Sequence, residues 1–169
     1  MNPQMPQQNP IPNHATQPVG ESDYAPPADD YTGFSIGAVA TIVGAVLVLI
    51  SYPMVWFVAK LDDGATISGL GTTTSTPNFE VTVQTGRLHW VAGIAMIVLI
   101  GLGVARLLGK FGENLKRVPV VLGVIGLLSA GISTLSVSDD FSIGAGLYLA
   151  LVGSIIALVG AIVMGLLKK

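Results

Sequence analysis

The chain has 169 residues, of which 51% are hydrophobic and only 11% charged, with a mean hydropathy of +0.70. Soluble domains carry roughly 25% charged residues, so an ordinary soluble domain is excluded in favour of a membrane domain with a polar tail. A net charge of −2 with no basic patch excludes nucleic acid as a partner, and the absence of cysteine excludes disulfides, thiol redox chemistry, thiolate metal sites and palmitoylation.

Met1 to Asp30 holds seven of the ten prolines among Gln, Asn and the acids Glu21, Asp23, Asp29 and Asp30. Such a stretch has too little apolar surface to offset the entropy of ordering, about 1–2 kcal/mol per residue. Residues 1–32 are therefore expected to form a disordered Pro/Gln-rich tail, with 33–169 as the membrane domain. The tail lacks the basic n-region and apolar h-region of a cleavable signal peptide. The first apolar run would then act as an uncleaved signal-anchor.

Phe34 to Ala59 reads as the first span. As a straight helix it would extend about 39 Å, longer than a hydrocarbon core of about 30 Å, so tilting is expected. Small residues line it at Gly33, Gly37, Ala40 and Gly44. Pro53 predicts a kink near the far end. Tyr52, Trp56 and Phe57 beside Lys60 read as an interfacial aromatic belt, with Trp90 as a further anchor on the same side.

Residues 60–89 form the long outer loop. Asp62-Asp63-Gly64 is turn chemistry. Phe79 to Gln84 alternates apolar and polar residues with the period of a half-buried strand, and Ala65 to Ser68 offers a partner. A short β-hairpin capping the helix ends is expected there.

The second span covers about 90–108, the third 118–137 with Pro119 in its first turn, and the fourth 141–167. Gly123, Gly126 and Ala130 repeat the small-residue beat in the third. In the fourth, Gly146, Ala150, Gly153, Ala157 and Gly160 step by four, three, four and three. Seams of this kind let helix backbones approach closely in lipid, where apolar side chains gain nothing by leaving the solvent. The fold class expected is thus an all-α membrane protein built as a four-helix transmembrane bundle.

Arg106, Lys110, Lys116, Arg117, Lys168 and Lys169 fall on one side of this threading, and Lys60 and Arg87 on the other. The positive-inside rule places both termini in the cytoplasm, with the long loop and the Val137–Asp140 turn outside.

Functional chemistry is sparse. The deep parts of the spans carry no ionisable residue, which argues against a proton-coupled pump or exporter. Ser129, Ser133, Thr134 and Ser154 could line a passive pore, but hydroxyls so placed more often bond across helices or back to their own backbone. The outer acids Asp62, Asp63, Glu80, Asp139 and Asp140 could gather round a cation. Ser138-Asp139-Asp140 fits better as a helix start, its acids satisfying first-turn N–H groups. His14 and His89 lack a second ligand at metal spacing. No catalytic, cofactor or metal residue is assigned.

A Pro/Gln-rich tail, a Gly/Ala/Val-rich core, the Ser51-Tyr52-Pro53-Met54-Val55-Trp56 exit and a short basic inner turn resemble small four-span membrane proteins of actinobacteria. The layout is also similar to that of claudins, without their outer-loop cysteine pair or Trp/Gly-Leu-Trp signature. The glycine seams and the sparse chemistry point to a non-catalytic membrane subunit or scaffold. The resemblance implies a bacterial plasma membrane as its location and allows an accessory subunit of a respiratory or envelope complex. Its partners would be the lipid bilayer and other integral membrane proteins, or a second copy of itself. The alternative is a small homo-oligomeric channel or facilitator.

Overall fold

The computed structural model describes residues 35–62, 64–77, 80 and 88–166. The chain order is α1 (Ile36–Ser51), β1 (Val55–Ala59), β2 (Thr66–Ser68), β3 (Thr73–Thr74), α2 (Leu88–Leu107), α3 (Val118–Leu135), β4 (Phe141–Ile143) and α4 (Ala145–Leu166), with a 3-10 turn at Glu113–Leu115 before α3. The described chain is mostly helical. Three of its helical stretches, Trp90–Leu107, Glu113–Leu135 and Ala145–Gly165, are long and apolar enough to cross a membrane. They mark a membrane protein.

The first apolar run does not continue as helix to Ala59. Ser35 opens α1 by accepting the Ala38 N–H on its hydroxyl, 3.3 Å away. The helix stops at Ser51, after 16 residues, or about 24 Å of rise. Pro53 has no N–H to give the Leu49 carbonyl, so the helical ladder stops there although Tyr52 itself still has helical dihedrals. The Tyr52 N–H takes the Leu49 carbonyl instead, at 3.3 Å, and the Met54 N–H takes that of Ser51 at 3.1 Å. Beyond this turn the β-branched and aromatic run Val55-Trp56-Phe57-Val58 has strand propensity and becomes β1. Pro53 ends the helix where the sequence predicted a kink within it.

The expected hairpin is a larger structure. Four short strands form an antiparallel sheet in the order β3-β2-β1-β4. β2 falls on the anticipated Ala65–Ser68 segment, but its partners are β1 and β3. Of the proposed partner strand, Phe79 and Val81 to Gln84 lie outside the described residues. β4 comes from the start of the expected fourth span and pairs with β1 through Phe57↔Ile143 and Val58↔Ser142. The α1–α2 and α3–α4 connections therefore contribute to one sheet, and the protein is not all-α.

The helices form a ring in which α1 meets α2 and α4, and α3 meets α2 and α4, with α1–α4 the most extensive contact. The main core runs between the ring and the sheet: Ala45, Val48, Tyr52, Trp56, Met96, Leu99, Leu147, Ala150 and Ala157 are buried together. At the opposite end Ala38, Phe111 and Met164 form a second cluster. Outside, Ile94, Ile97, Val121, Leu128, Val152 and Ile155 are exposed, an apolar perimeter suited to lipid. In that solvent the helices are held by close packing and dispersion.

Candidate functional site: the α1–α4 crossing and the Trp56 clasp

At the α1–α4 crossing, two backbones meet with almost nothing between them. A β-carbon added to Gly37 would lie 2.5 Å from the Met164 nitrogen, and one added to Gly44 would lie 2.6 Å from the Gly153 carbonyl oxygen and 2.8 Å from the Ala157 Cα. In return, Gly153 faces the Gly44 carbonyl oxygen at 2.8 Å and Gly160 faces that of Gly37 at 2.8 Å. Real β-carbons essentially never come so close. Gly37, Gly44, Gly153 and Gly160 are required by this approach, and buried Ala157 completes the seam. Thr41, fully buried beside Gly160, turns its hydroxyl onto the Gly37 carbonyl at 2.8 Å, so it adds no unsatisfied polar group to the crossing.

The remaining small residues have different neighbours. Gly146 faces the Trp56 ring, with a 2.6 Å approach to Cδ1, and Ala150 lies in the main core. In α3, Gly123 packs on Leu158 of α4, while Gly126 receives the terminal methyl of Met96 from α2. Ala130 is buried in the same helix. In α3, Gly126 thus accommodates a side chain and Gly123 both the backbone and the side chain of Leu158, whereas the glycines at the α1–α4 crossing meet chiefly backbone.

Trp56 clasps the sheet to the bundle. The β1–β2 register pairs Val55 with Ser68 and Phe57 with Ile67, which leaves Trp56 as the extra residue of a bulge. A bulge re-aims its side chain, and here the indole turns into the core, where it is 4% exposed. Its ring lies between Gly69 and Gly146, each of which would place a β-carbon about 2.5 or 2.6 Å from it. Its Nε1 donates to the Ser51 carbonyl at 2.8 Å, supplying one of the bonds the ended helix lacks. Tyr52 packs edge-on against it, with centroids 5.4 Å apart, and its hydroxyl bonds to the backbone of Gly93 in α2. Behind the clasp, the Gly144 N–H donates to the Trp56 carbonyl at 2.7 Å, which ties β4 and the start of α4 to the same residue.

The residues read as an aromatic belt divide by burial. Tyr52 and Trp56 are interior residues with satisfied polar tips, and Phe57 packs half-buried against the same core. Trp90 is exposed in the first turn of α2, and Lys60 is exposed with its N–H donated to the Asp140 carbonyl at 2.8 Å. The Pro53 turn could have signalled the change, since a proline followed by a β-branched and aromatic run is a stop followed by a strand.

Of the acids considered for a cation, Asp62 and Asp140 are engaged locally, Glu80 and Asp139 are exposed, and Asp63 lies outside the described residues. Asp62 accepts the Gly64 N–H at 3.0 Å and the Thr76 hydroxyl. Asp139 and Asp140 do not sit in the first turn of α4, which contains no acid, because β4 intervenes. Ser138 and Asp140 bond to each other in the turn before it. No group of three metal-ligating side chains occurs among the described residues. Two of the candidate pore hydroxyls turn back on their own helix, Ser133 bonding the Ser129 carbonyl and Thr134 that of Ala130, each at 2.9 Å, whereas the buried Ser154 hydroxyl has no hydrogen-bond partner among the described residues. Ser129 is nearly buried and Ser154 fully so. His14 and Arg87, and the side chain of His89, lie outside the described residues.

The two ends of the bundle differ in charge. Gly37 against Met164, and the Lys116 carbonyl 3.2 Å from where a Gly165 β-carbon would be, gather the start of α1, the end of α4 and the α2–α3 connection at one end. Arg106, Lys110, Lys116 and Arg117 all belong to that end. Arg106 is buried with its guanidinium 5.7 Å from the Phe111 centroid, a cation–π contact at the C-terminus of α2, where positive charge also suits the helix dipole. Lys60, Asp62, Asp139 and Asp140 belong to the sheet end. Among known proteins, no family model, curated sequence or solved structure matches this chain.

Proposed function

We propose that this is a non-catalytic integral membrane subunit or scaffold with four membrane-crossing helices, both termini in the cytoplasm and the sheet on the outer face of a bacterial plasma membrane. At 16 residues α1 is shorter than an independent span requires. The bundle compensates, since α1 lies along α4 and its exit turn is anchored inward by the buried side chains of Tyr52 and Trp56, while Pro53 and Val55 stay exposed. The basic residues at the non-sheet end supply the orientation.

The observation that carries the reading is the α1–α4 crossing. Helices joined backbone to backbone leave no path for a solute between them, and they form a rigid element suited to presenting surfaces to a partner. The apolar perimeter of α2 and α3 is the surface such a partner would meet in the membrane, with the sheet as an outer contact. Because the crossing takes up the seam of α4, a partner engages other faces.

Purification of the tagged chain from native membranes in a mild detergent tests the proposal. A second integral membrane protein is expected at constant stoichiometry. A monodisperse lone protomer would overturn it, as would flux of ions or small polar solutes through vesicles holding the purified chain.

A further inference from the structure

At the basic end, Lys116 and Arg117, just ahead of α3 with right-handed helical backbone, and Val120 and Val121 in its first turn line a groove of about 560 Å³ together with Ile162 and Gly165 near the end of α4. That lies within the roughly 300–1,000 Å³ range of ligand sites. Its chemistry is layered. Lys116 and Val120 are four residues apart, as are Arg117 and Val121, so each cation stands one turn above an apolar side chain on the same helical face. The opposite wall pairs Ile162 with Gly165, which has no side chain to close the mouth. The groove is apolar along the helices and cationic where they leave the apolar stretch.

The two cations differ. Lys116 is already paired with Glu113, one turn earlier. Arg117 is exposed, makes no side-chain cap to its own helix and has no ion pair among the described residues. Its planar fork suits a phosphate group.

We infer that this groove binds one anionic phospholipid, with the phosphate at Arg117 and Lys116 and an acyl chain along Val120, Val121 and Ile162. The inference rests on α3 and α4 crossing the membrane and is independent of whether the protein has a protein partner. Charge complementarity selects the headgroup. The apolar walls select a lipid over a free anion, which would gain nothing from them. They also disfavour the chain's own tail, whose acids Glu21, Asp23, Asp29 and Asp30 sit among Ser22, Tyr24, two alanines and two prolines with no aliphatic side chain larger than Ala or Pro to lie along the groove.

Native mass spectrometry of the full chain released from detergent, titrated in parallel with phosphatidylglycerol and phosphatidylcholine, tests this. One phosphatidylglycerol is expected to be retained in preference to phosphatidylcholine. Since each cation near an anionic lipid is worth on the order of fivefold in affinity, Arg117→Ala should reduce the preference about fivefold. Gly165→Leu, which fills the mouth without altering charge, should abolish retention. Lys60→Ala at the far end should leave it unchanged, which separates a local site from general attraction. Equal retention of the two lipids, or a preference indifferent to both groove variants, would overturn the inference. So would displacement of the lipid by millimolar inorganic phosphate, which would make the groove a free-anion site. A more than fivefold gain in retention on neutralising the tail (E21Q/D23N/D29N/D30N) would likewise overturn it, by making the tail the occupant.

Discussion

Across the α1–α4 crossing, a methyl group added at Gly44 would lie 2.6 Å from a carbonyl oxygen of the facing helix, whereas across the α2–α3 crossing one added at Gly126 would meet the end of the Met96 side chain. The same spacing of small residues serves both. In the first case two backbones abut and neither can yield. In the second a glycine makes a socket for a flexible thioether, which can change rotamer. A small-residue seam therefore marks close packing without saying whether the neighbour is rigid. The rigidity of the neighbour decides how much a substitution costs.

The largest effect expected lies at the clasp that holds the α1–α4 side closed. Trp56→Ala removes a buried indole, its hydrogen bond to Ser51 and the filling between Gly69 and Gly146. Loss of an aromatic core residue costs about 3–5 kcal/mol, so the variant should unfold at much lower denaturant in a detergent-based unfolding titration. A wild-type midpoint would show that the sheet and bundle are not coupled through Trp56.

Next comes Gly153→Leu. Overpacking costs about 1–3 kcal/mol where side chains can adjust, and here the obstructing atoms include the Gly44 carbonyl oxygen, so the upper end of that range is expected. The readout is the thermal midpoint in detergent. An unchanged midpoint would break the comparison by showing that α1 and α4 do not abut.

Gly126→Ala sharpens the comparison at a lower scale. If Met96 can turn aside, the cost stays below about 1 kcal/mol, offset by the better helix propensity of alanine. The double variant G126A/M96A should then be no better than additive. A loss as large as that of Gly153→Leu would mean that Met96 is as fixed as backbone.

The smallest change is expected at Gly101, whose added β-carbon would meet nothing within 4 Å. Gly101→Ala should be neutral or stabilising by up to about 1 kcal/mol. Destabilisation, or loss of a co-purifying partner with stability intact, would place an unseen neighbour against that face.

The sequence on its own determined the three long apolar helices, because an uninterrupted run of about 20 apolar residues has few other stable conformations in a bilayer. It also showed where the small residues recur, since helical periodicity is local. The tertiary structure alone decided that Val55–Ala59 and Phe141–Ile143 are strands. The β-branched and aromatic run after Pro53 hinted at a strand, but it also fits an apolar span, and only pairing of the two segments with each other and with Thr66–Ser68 satisfies the backbone groups. It alone turned Trp56 inward, because a bulge depends on the register of a neighbouring strand. It also divided the glycines between backbone and side-chain neighbours: periodicity names the face of a helix, and only packing names what lies opposite.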